Sequence, residues 1–284
     1  NIAAPTAAIT PANGTLTCST TSITLTASGG TTYDWGGGNT TTTNAVTVPN
    51  TYTVTVTAAN GCTATASSVI SQNITPPTAA VTPVNGTLTC TVLSVTLTGS
   101  GGTGYDWGGG ITTAANTVTL PNTYTVTVTG ANGCTATASS VISQSITVPP
   151  ATVTPLNSTL TCTVLSSTLT ASGGVSYNWG GGVTTAANTV SLPNTYTVTV
   201  TDVNGCTATA SSVVAQNITP PPAAVAPVNG TLTCTTNSIT LTASGGGTYD
   251  WGGGNTTTTN TVTLPNTYTV TVTDAVNGCT ATAA

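Results

Sequence analysis

The feature that most constrains this chain is an internal period. Trp35, Trp107, Trp179 and Trp251 stand 72 residues apart, as do Cys18, Cys90, Cys162 and Cys234. A period of that length settles the domain count before any fold is considered, because each copy must bury its own core or share one with its neighbour. It divides the chain into repeats 1–72, 73–144, 145–216 and 217–284. Length alone, at roughly 150 residues per domain, would suggest two domains. A unit of about 70 residues is marginal by itself and often needs a covalent staple.

Within each repeat one hairpin dominates. In the first it runs Pro49-Asn50-Thr51-Tyr52-Thr53-Val54-Thr55-Val56-Thr57, then Asn60-Gly61-Cys62, then Thr63-Ala64-Thr65-Ala66. Strict alternation has the period of a half-buried strand, so Tyr52, Val54 and Val56 face a core and the threonines face outward. Asn60-Gly61 is expected to supply the positive φ angles of a tight turn. Upstream, Ile23-Thr24-Leu25-Thr26-Ala27 reads as a strand with Ile, Leu and Ala on one face. Tyr33-Asp34-Trp35 reads as a short strand and Ala45-Val46-Thr47-Val48 as another. Gly36-Gly37-Gly38 is expected to be flexible or to hold unusual backbone angles. Residues 39–44 read as a polar loop. Pro-rich stretches (Asn1 to Pro11, Pro76-Pro77, Pro149-Pro150 and Pro220-Pro221-Pro222) read as stiff spacers between repeats. Short strands separated by Gly, Pro and Asn, with no helical periodicity, indicate an all-β sandwich.

Composition removes whole classes of function. The chain has no Lys, Arg or His, its five acidic residues are all Asp, and only 2% of it is charged, against about a quarter in ordinary globular chains. Without cations there is no phosphate-neutralising patch, so nucleic acid is excluded as a partner. A Ser-His-Asp site cannot be built, general acid–base chemistry has only isolated Asp and Tyr, and the chain is not expected to be an enzyme. No cofactor loop, zinc set or calcium cluster is recognisable. No apolar run reaches the roughly 20 residues of a membrane span. No leader is recognisable, so the chain reads as a mature segment or an excerpt. Two cysteines per repeat at fixed spacing read as disulfides, hence as an oxidising, extracellular, secreted setting. The lack of Lys and Arg also removes trypsin-type cleavage sites.

The series Ser22-Ile23-Thr24-Leu25-Thr26-Ala27-Ser28-Gly29-Gly30, Tyr33-x-Trp35, Asn50 to Thr57 and Asn60-Gly61-Cys62 resembles the Thr-rich, Cys-paired Ig-like and PKD-like tandem repeats of secreted bacterial surface adhesins and extracellular filaments. The resemblance covers all four repeats. It implies four antiparallel seven-strand Ig-like sandwiches, display at the cell surface, and frequent glycosylation. It implies no particular ligand.

In an immunoglobulin-type domain a disulfide joins mid-strand B to mid-strand F, with the Trp of strand C beside it. Here Leu25 and Val54 take those positions, so the cysteines lie elsewhere. Cys18 precedes Leu25 and Cys62 follows Val54, on strands that run the same way in that topology. At about 3.3 Å per residue the two fall near opposite ends of one repeat, beyond the roughly 7 Å reach of a bridge. The expectation is a ladder between repeats, Cys18–Cys134, Cys90–Cys206 and Cys162–Cys279, leaving Cys62 and Cys234 for neighbouring units. The alternative is an intradomain pair, Cys18–Cys62 and its equivalents, should the segment before strand B fold back.

Outward threonines are good solvent-facing strand residues. They also offer O-glycosylation sites, best at Thr40, Thr41, Thr42 and Thr43 and at Thr256, Thr257, Thr258 and Thr259. Sequons occur at Asn13, Asn39, Asn85, Asn157 and Asn229. A flat Thr array can bind ice, but twisted antiparallel strands suit that poorly. Tyr33 and Trp35 read as a core pair before a sugar platform. Asp34, Asp106 and Asp250 read as solvent-facing or turn-capping, and Asn178 replaces them in repeat 3. Repeat 4 stops at Ala284, short of the Ser-Val-Ile-Ser-Gln that closes repeats 1 and 2, which reads either as a cut in a longer array or as a place completed by another strand. The sequence thus points to a structural subunit that self-associates into a linear fibre or adhesin stalk, with covalent glycans. A module binding a glycan or a protein is the alternative.

Overall fold

In the computed structural model residues 3–284 are described; Asn1 and Ile2, which open the first spacer, lie outside them. The chain forms two compact units, Asn1–Ser145 and Ile146–Ala284. Each unit holds two repeats, and the described residues contain strands and no helix.

Repeat 1 has seven strands: β1 Ala8–Thr10, β2 Asn13–Thr17, β3 Ile23–Ser28, β4 Thr32–Asp34, β5 Thr43–Val46, β6 Asn50–Thr57 and β7 Thr63–Asn73. One sheet has the order β1-β3-β5, the other β2-β7-β6-β4. All pairings are antiparallel except that of β2 with the far half of β7, which is parallel. Repeats 2 and 3 repeat both sheets strand for strand. The chain passes from the first sheet to the second at Thr10-Pro11, a cis bond whose counterparts are Thr82-Pro83, Thr154-Pro155 and Ala226-Pro227. The proline has no N–H to donate, so it suits the point where one ladder stops and the next begins.

The alternation read from the sequence sets the core. Leu25, Val54 and Val56 are fully buried between the sheets, joined by Leu16, Val46 and Ile70. Fully burying one such side chain is worth about 1.5–3 kcal/mol. Tyr33 and Trp35 pack against this cluster half-buried, and their polar ends are occupied: Tyr33 donates to the Gly30 carbonyl (3.0 Å) and Trp35 Nε1 to the Thr41 carbonyl (2.9 Å). On the outer face, Thr and Ser hydroxyls pair across strands, as in Thr53–Ser67 and Thr15–Ser71, both 2.8 Å. Such pairs contribute roughly 0.2–1 kcal/mol each. Tyr52 donates to the carbonyl of Val48, four residues upstream, at 2.9 Å, and Tyr124, Tyr196 and Tyr268 do the same to Leu120, Leu192 and Leu264. That contact is the tyrosine corner of immunoglobulin-type sandwiches.

Three local expectations need correction. Asn60 does not adopt positive φ; only Gly61 does (φ 80°), and the loop is wider than a two-residue turn, closed by Ala58 N–H to the Cys62 carbonyl. The strand expected over residues 45–48 begins earlier, at Thr43, because Thr26 and Leu25 extend the pairing over Thr43 and Asn44. Trp35 lies just outside β4. The triple glycine takes the unusual backbone angles, all three residues having positive φ.

The turn entering that glycine run is capped by Asp34, whose Oδ1 accepts from Gly36 N–H at 2.8 Å. Asp106 and Asp250 do likewise, and Asn178 accepts from Gly180 N–H at the same 2.8 Å. The side-chain oxygen, and not the charge, is what the turn uses. Asp106→Asn is therefore expected to leave urea stability within about 0.5 kcal/mol, while Asp106→Ala should lose about 1 kcal/mol. Equal losses from both would show that the charge matters.

Candidate functional site: the bridged joint between repeats

The geometry that could carry function is where two repeats meet inside one unit. In the first unit β2 runs alongside the end of β7, from Asn13 opposite Val69 to Thr17 opposite Asn73, and delivers Cys18 to that end of the repeat. A tight turn follows, with Thr17 N–H on the Thr20 carbonyl (2.9 Å) and the Thr17 hydroxyl accepting from Thr20 N–H (3.0 Å). From repeat 2 comes the hairpin loop Gly130-Ala131-Asn132-Gly133-Cys134, closed by Gly130 N–H on the Cys134 carbonyl (2.8 Å). Cys18 and Cys134 form a disulfide, Cα to Cα 5.0 Å, and Cys134 is buried. Cys18 N–H also donates to the Asn132 carbonyl at 3.1 Å.

Asn132 clasps three segments. Its Oδ1 accepts from Cys134 N–H (3.1 Å), while its Nδ2 donates to Asn73 Oδ1 (3.1 Å) at the end of β7 and to the Thr75 carbonyl (2.9 Å) in the spacer between repeats. Gly133 has φ 76°, and a Cβ there would fall 2.6 Å from Ser19 Cβ. Glycine is thus required both by the backbone angle and by the approach of the preceding repeat.

The second unit builds the same joint. Cys162 and Cys279 are bridged with Cα atoms 5.0 Å apart, and Cys162 N–H donates to the Asn277 carbonyl at 3.1 Å. Asn277, which is buried, donates to Asn217 Oδ1 (3.0 Å) and the Thr219 carbonyl (2.9 Å). This loop carries one more residue than its counterparts, so the bridged pair is 117 positions apart here and 116 in the first unit. Asp274 absorbs the insertion by accepting from Val276 and Asn277 N–H groups, at 2.7 and 3.0 Å, which keeps Asn-Gly-Cys in place.

Cys90 in the first unit and Cys206 in the second are each disulfide cysteines. Cys62 and Cys234 are free thiols, half-buried and exposed respectively. Around Cys62 the loop is already set as in a closed joint: Asn60 Nδ2 donates to the Ala3 carbonyl (3.1 Å), and Cys62 N–H donates to Asn60 Oδ1 (3.0 Å).

Sequence reasoning placed the cysteines at the poles but treated the asparagine before Gly-Cys as a turn former. Its recurrence ahead of every second cysteine was the available signal. Asn132→Ala is expected to cost the first unit about 1–2 kcal/mol and to speed amide exchange over residues 73–77. Asn277→Ala should cost more, because the site is drier. Unchanged exchange in the spacer would mean that the clasp does not hold it.

The candidate glycan acceptors lie apart from the joints. Thr40 to Thr43 and Thr256 to Thr259 are exposed, as are Asn13, Asn85, Asn157 and Asn229. Asn39 is half-buried, and its Oδ1 is engaged by the N–H and hydroxyl of Thr41. No group of three or more His, Cys, Asp or Glu side chains that could hold a metal occurs among the described residues. No helix there is long and apolar enough to cross a membrane.

No family model matches this chain, and no curated protein matches it. Among solved structures, a Ca2+-stabilised adhesin that helps an Antarctic bacterium reach out and bind ice is similar over 100% of this chain and 98% of that one, at 14% identity and a TM-score of 0.52. The fold is Ig-like. A 1.5-MDa bacterial ice-binding adhesin is aligned over 77% of this chain and 100% of that one, at 17% identity and a TM-score of 0.39. The D1–D4 ectodomain of ICAM-5 is aligned over 97% and 96%, at 11% and 0.34. At 14% identity the likeness is one of architecture, the Ig-like sandwich.

Proposed function

We propose that this chain is a structural, non-catalytic subunit of an extracellular filament or adhesin stalk, built from Ig-like repeats locked to one another. The observation that carries the reading is the bridged joint, present between repeats 1 and 2 and again between repeats 3 and 4. Tandem domains joined only by a spacer and a modest interface move relative to one another. A disulfide, a clasping asparagine and a glycine in contact with the preceding repeat remove that freedom and give tension a covalent path from one repeat to the next.

By the period of the repeat, Cys90 pairs with Cys206, Cys62 takes a partner from a preceding unit, and Cys234 takes one from a following unit. The chain then self-associates end to end into a linear fibre. Disulfides fit an oxidising, extracellular setting. The exposed Thr rows and Asn sequons are the places for covalent glycans. A chain with 2% charged residues has little charge to keep neighbours apart in solution, so bulky neutral sugars would supply that protection.

The test has three arms. Peptide mapping under non-reducing conditions should recover Cys90 joined to Cys206. Electron microscopy of the native material should show fibres with a spacing set by the repeat, and intact mass should exceed the sequence mass by hexose-type increments. Dispersed monomers with Cys62 and Cys234 still free would sink the filament reading.

A further inference from the structure

Asparagine fastens turns and joints throughout this chain, and one row of it fastens nothing. The pattern Asn-x-Ser/Thr occurs eight times. In four of the eight the side-chain amide is already in use. Asn39 and Asn255 accept through Oδ1 from the N–H and the hydroxyl of Thr41 and Thr257. Asn73 and Asn217 accept from the clasping Asn132 and Asn277, at 3.1 and 3.0 Å. The other four, Asn13, Asn85, Asn157 and Asn229, hold one position in every repeat and are exposed. Among the described residues their side chains have no hydrogen-bond partner. Asparagine is a poor strand residue, yet Asn13, Asn85 and Asn157 each open a strand.

What stands beside them is apolar. Asn13 is in register with Val69 of β7, and Val69 with Thr51 of β6, so the three form one line across the outer face of the sheet. Asn85, Val141 and Thr123 form the same line in repeat 2, and Asn157, Val213 and Thr195 in repeat 3. The three valines are 55%, 51% and 47% exposed. Elsewhere on its outward face β7 carries only Thr63, Thr65, Ser67, Ser71 and Asn73. Strand propensity accounts for a valine, but not for its recurrence as the apolar neighbour of an unused amide.

We propose that this row is the N-glycosylation site of the chain, with the first sugar of each glycan lying over the neighbouring valine. The donor is a neutral sugar activated as a diphosphate ester. Asn Nδ2 forms a bond to the anomeric carbon of the sugar. The bond from that carbon to the diphosphate oxygen breaks, its electron pair leaves on the diphosphate, and the amide gives up one proton. Asn13 and Thr15 alternate onto the same outer face, so the acceptor and the hydroxyl that completes its motif are presented together. A pyranose has a face of C–H groups, and adjacent strands lie about 4.8 Å apart. Across that spacing the C–H face covers the valine while the sugar hydroxyls meet the Thr row. The chain has no Lys, Arg or His to receive an acidic sugar, which favours a neutral one. The inference rests on the reading that the chain carries covalent glycans, and it narrows that reading to one acceptor per repeat.

The test is a glycopeptide map of the native material, cut at Tyr, Trp and Leu because the chain offers no Lys or Arg. Sugar should be found on Asn13, Asn85, Asn157 and Asn229, and not on Asn39, Asn73, Asn217 or Asn255. Enzymatic removal of the sugar should uncover the valines and raise binding of an apolar dye about twofold or more. In a variant combining Val69→Thr, Val141→Thr and Val213→Thr, the map should stay the same and the dye signal should no longer rise. Threonine keeps a β-branched residue at each place, which suits a strand. Sugar on the four engaged asparagines as often as on the four free ones overturns the proposal, as does sugar confined to threonine; either result leaves the glycan reading standing. A map with no sugar on any peptide overturns both. An unchanged dye signal on removing sugar from the parent overturns the placement over the valines.

Discussion

Replacing Cys18 and Cys134 together by serine is expected to lower the stability of the first unit by about 2–4 kcal/mol, toward the upper end because the bridge closes a loop spanning 116 positions. The loop contains most of both repeats, so the tether restricts the unfolded ensemble of each. It also opposes separation of the two repeats while either remains folded. Without it, calorimetry should resolve separate transitions for repeats 1 and 2 where the bridged unit melts more nearly as one. The second unit supplies an internal control, because Cys162–Cys279 is untouched. Reduction of the unaltered protein should reproduce the effect in both units. If the double variant melts like the parent, the joint contributes no stiffness of thermodynamic consequence, and the stalk reading loses its main support.

Leu97→Ala should be the most damaging single core substitution, at about 2–5 kcal/mol. Leu97 is 0% exposed and sits between the sheets with Val126, Val128 and Leu88. A domain of this size has roughly 4–10 kcal/mol in total at 0.05–0.15 kcal/mol per residue, so the loss would unfold much of repeat 2 at ordinary temperature. The matched change in repeat 4, Leu241→Ala, should cost about half as much, because that leucine is already partly uncovered. Urea titration read by repeat-resolved hydrogen exchange separates the two. Equal costs would mean that the partial exposure of Leu241 does not weaken its packing.

Much of the sandwich was legible in single repeats. Alternation placed Val54 and Val56 inward, and Leu25 fell opposite them because strands of an Ig-like sandwich offer alternate residues to one core. The absence of cysteine at those two positions pushed the thiols to the poles, where the Cα spacing of 5.0 Å between Cys18 and Cys134 now stands. The clasp was less legible. Asn132 acts through its side-chain amide on Thr75, 57 positions away, and nothing local to Asn-Gly-Cys states that a spacer will be there to receive it. The role of Asn13-Gly14-Thr15-Leu16-Thr17 was likewise hidden. A five-residue segment with an internal glycine has weak strand character by propensity, and its ladder comes from the far half of β7.

The sequence by itself determined the period, the all-β class, the inward set of each strand and the lack of any cationic side chain, since all of these follow from residue type and spacing along the chain. Only the tertiary structure decided between the ladder Cys18–Cys134 and Cys162–Cys279 and the intradomain pairing, and why glycine and asparagine stand before the second cysteine of each pair. Those depend on separations of 50 residues and more, where the partner is chosen by topology and packing and local preference carries no information about it.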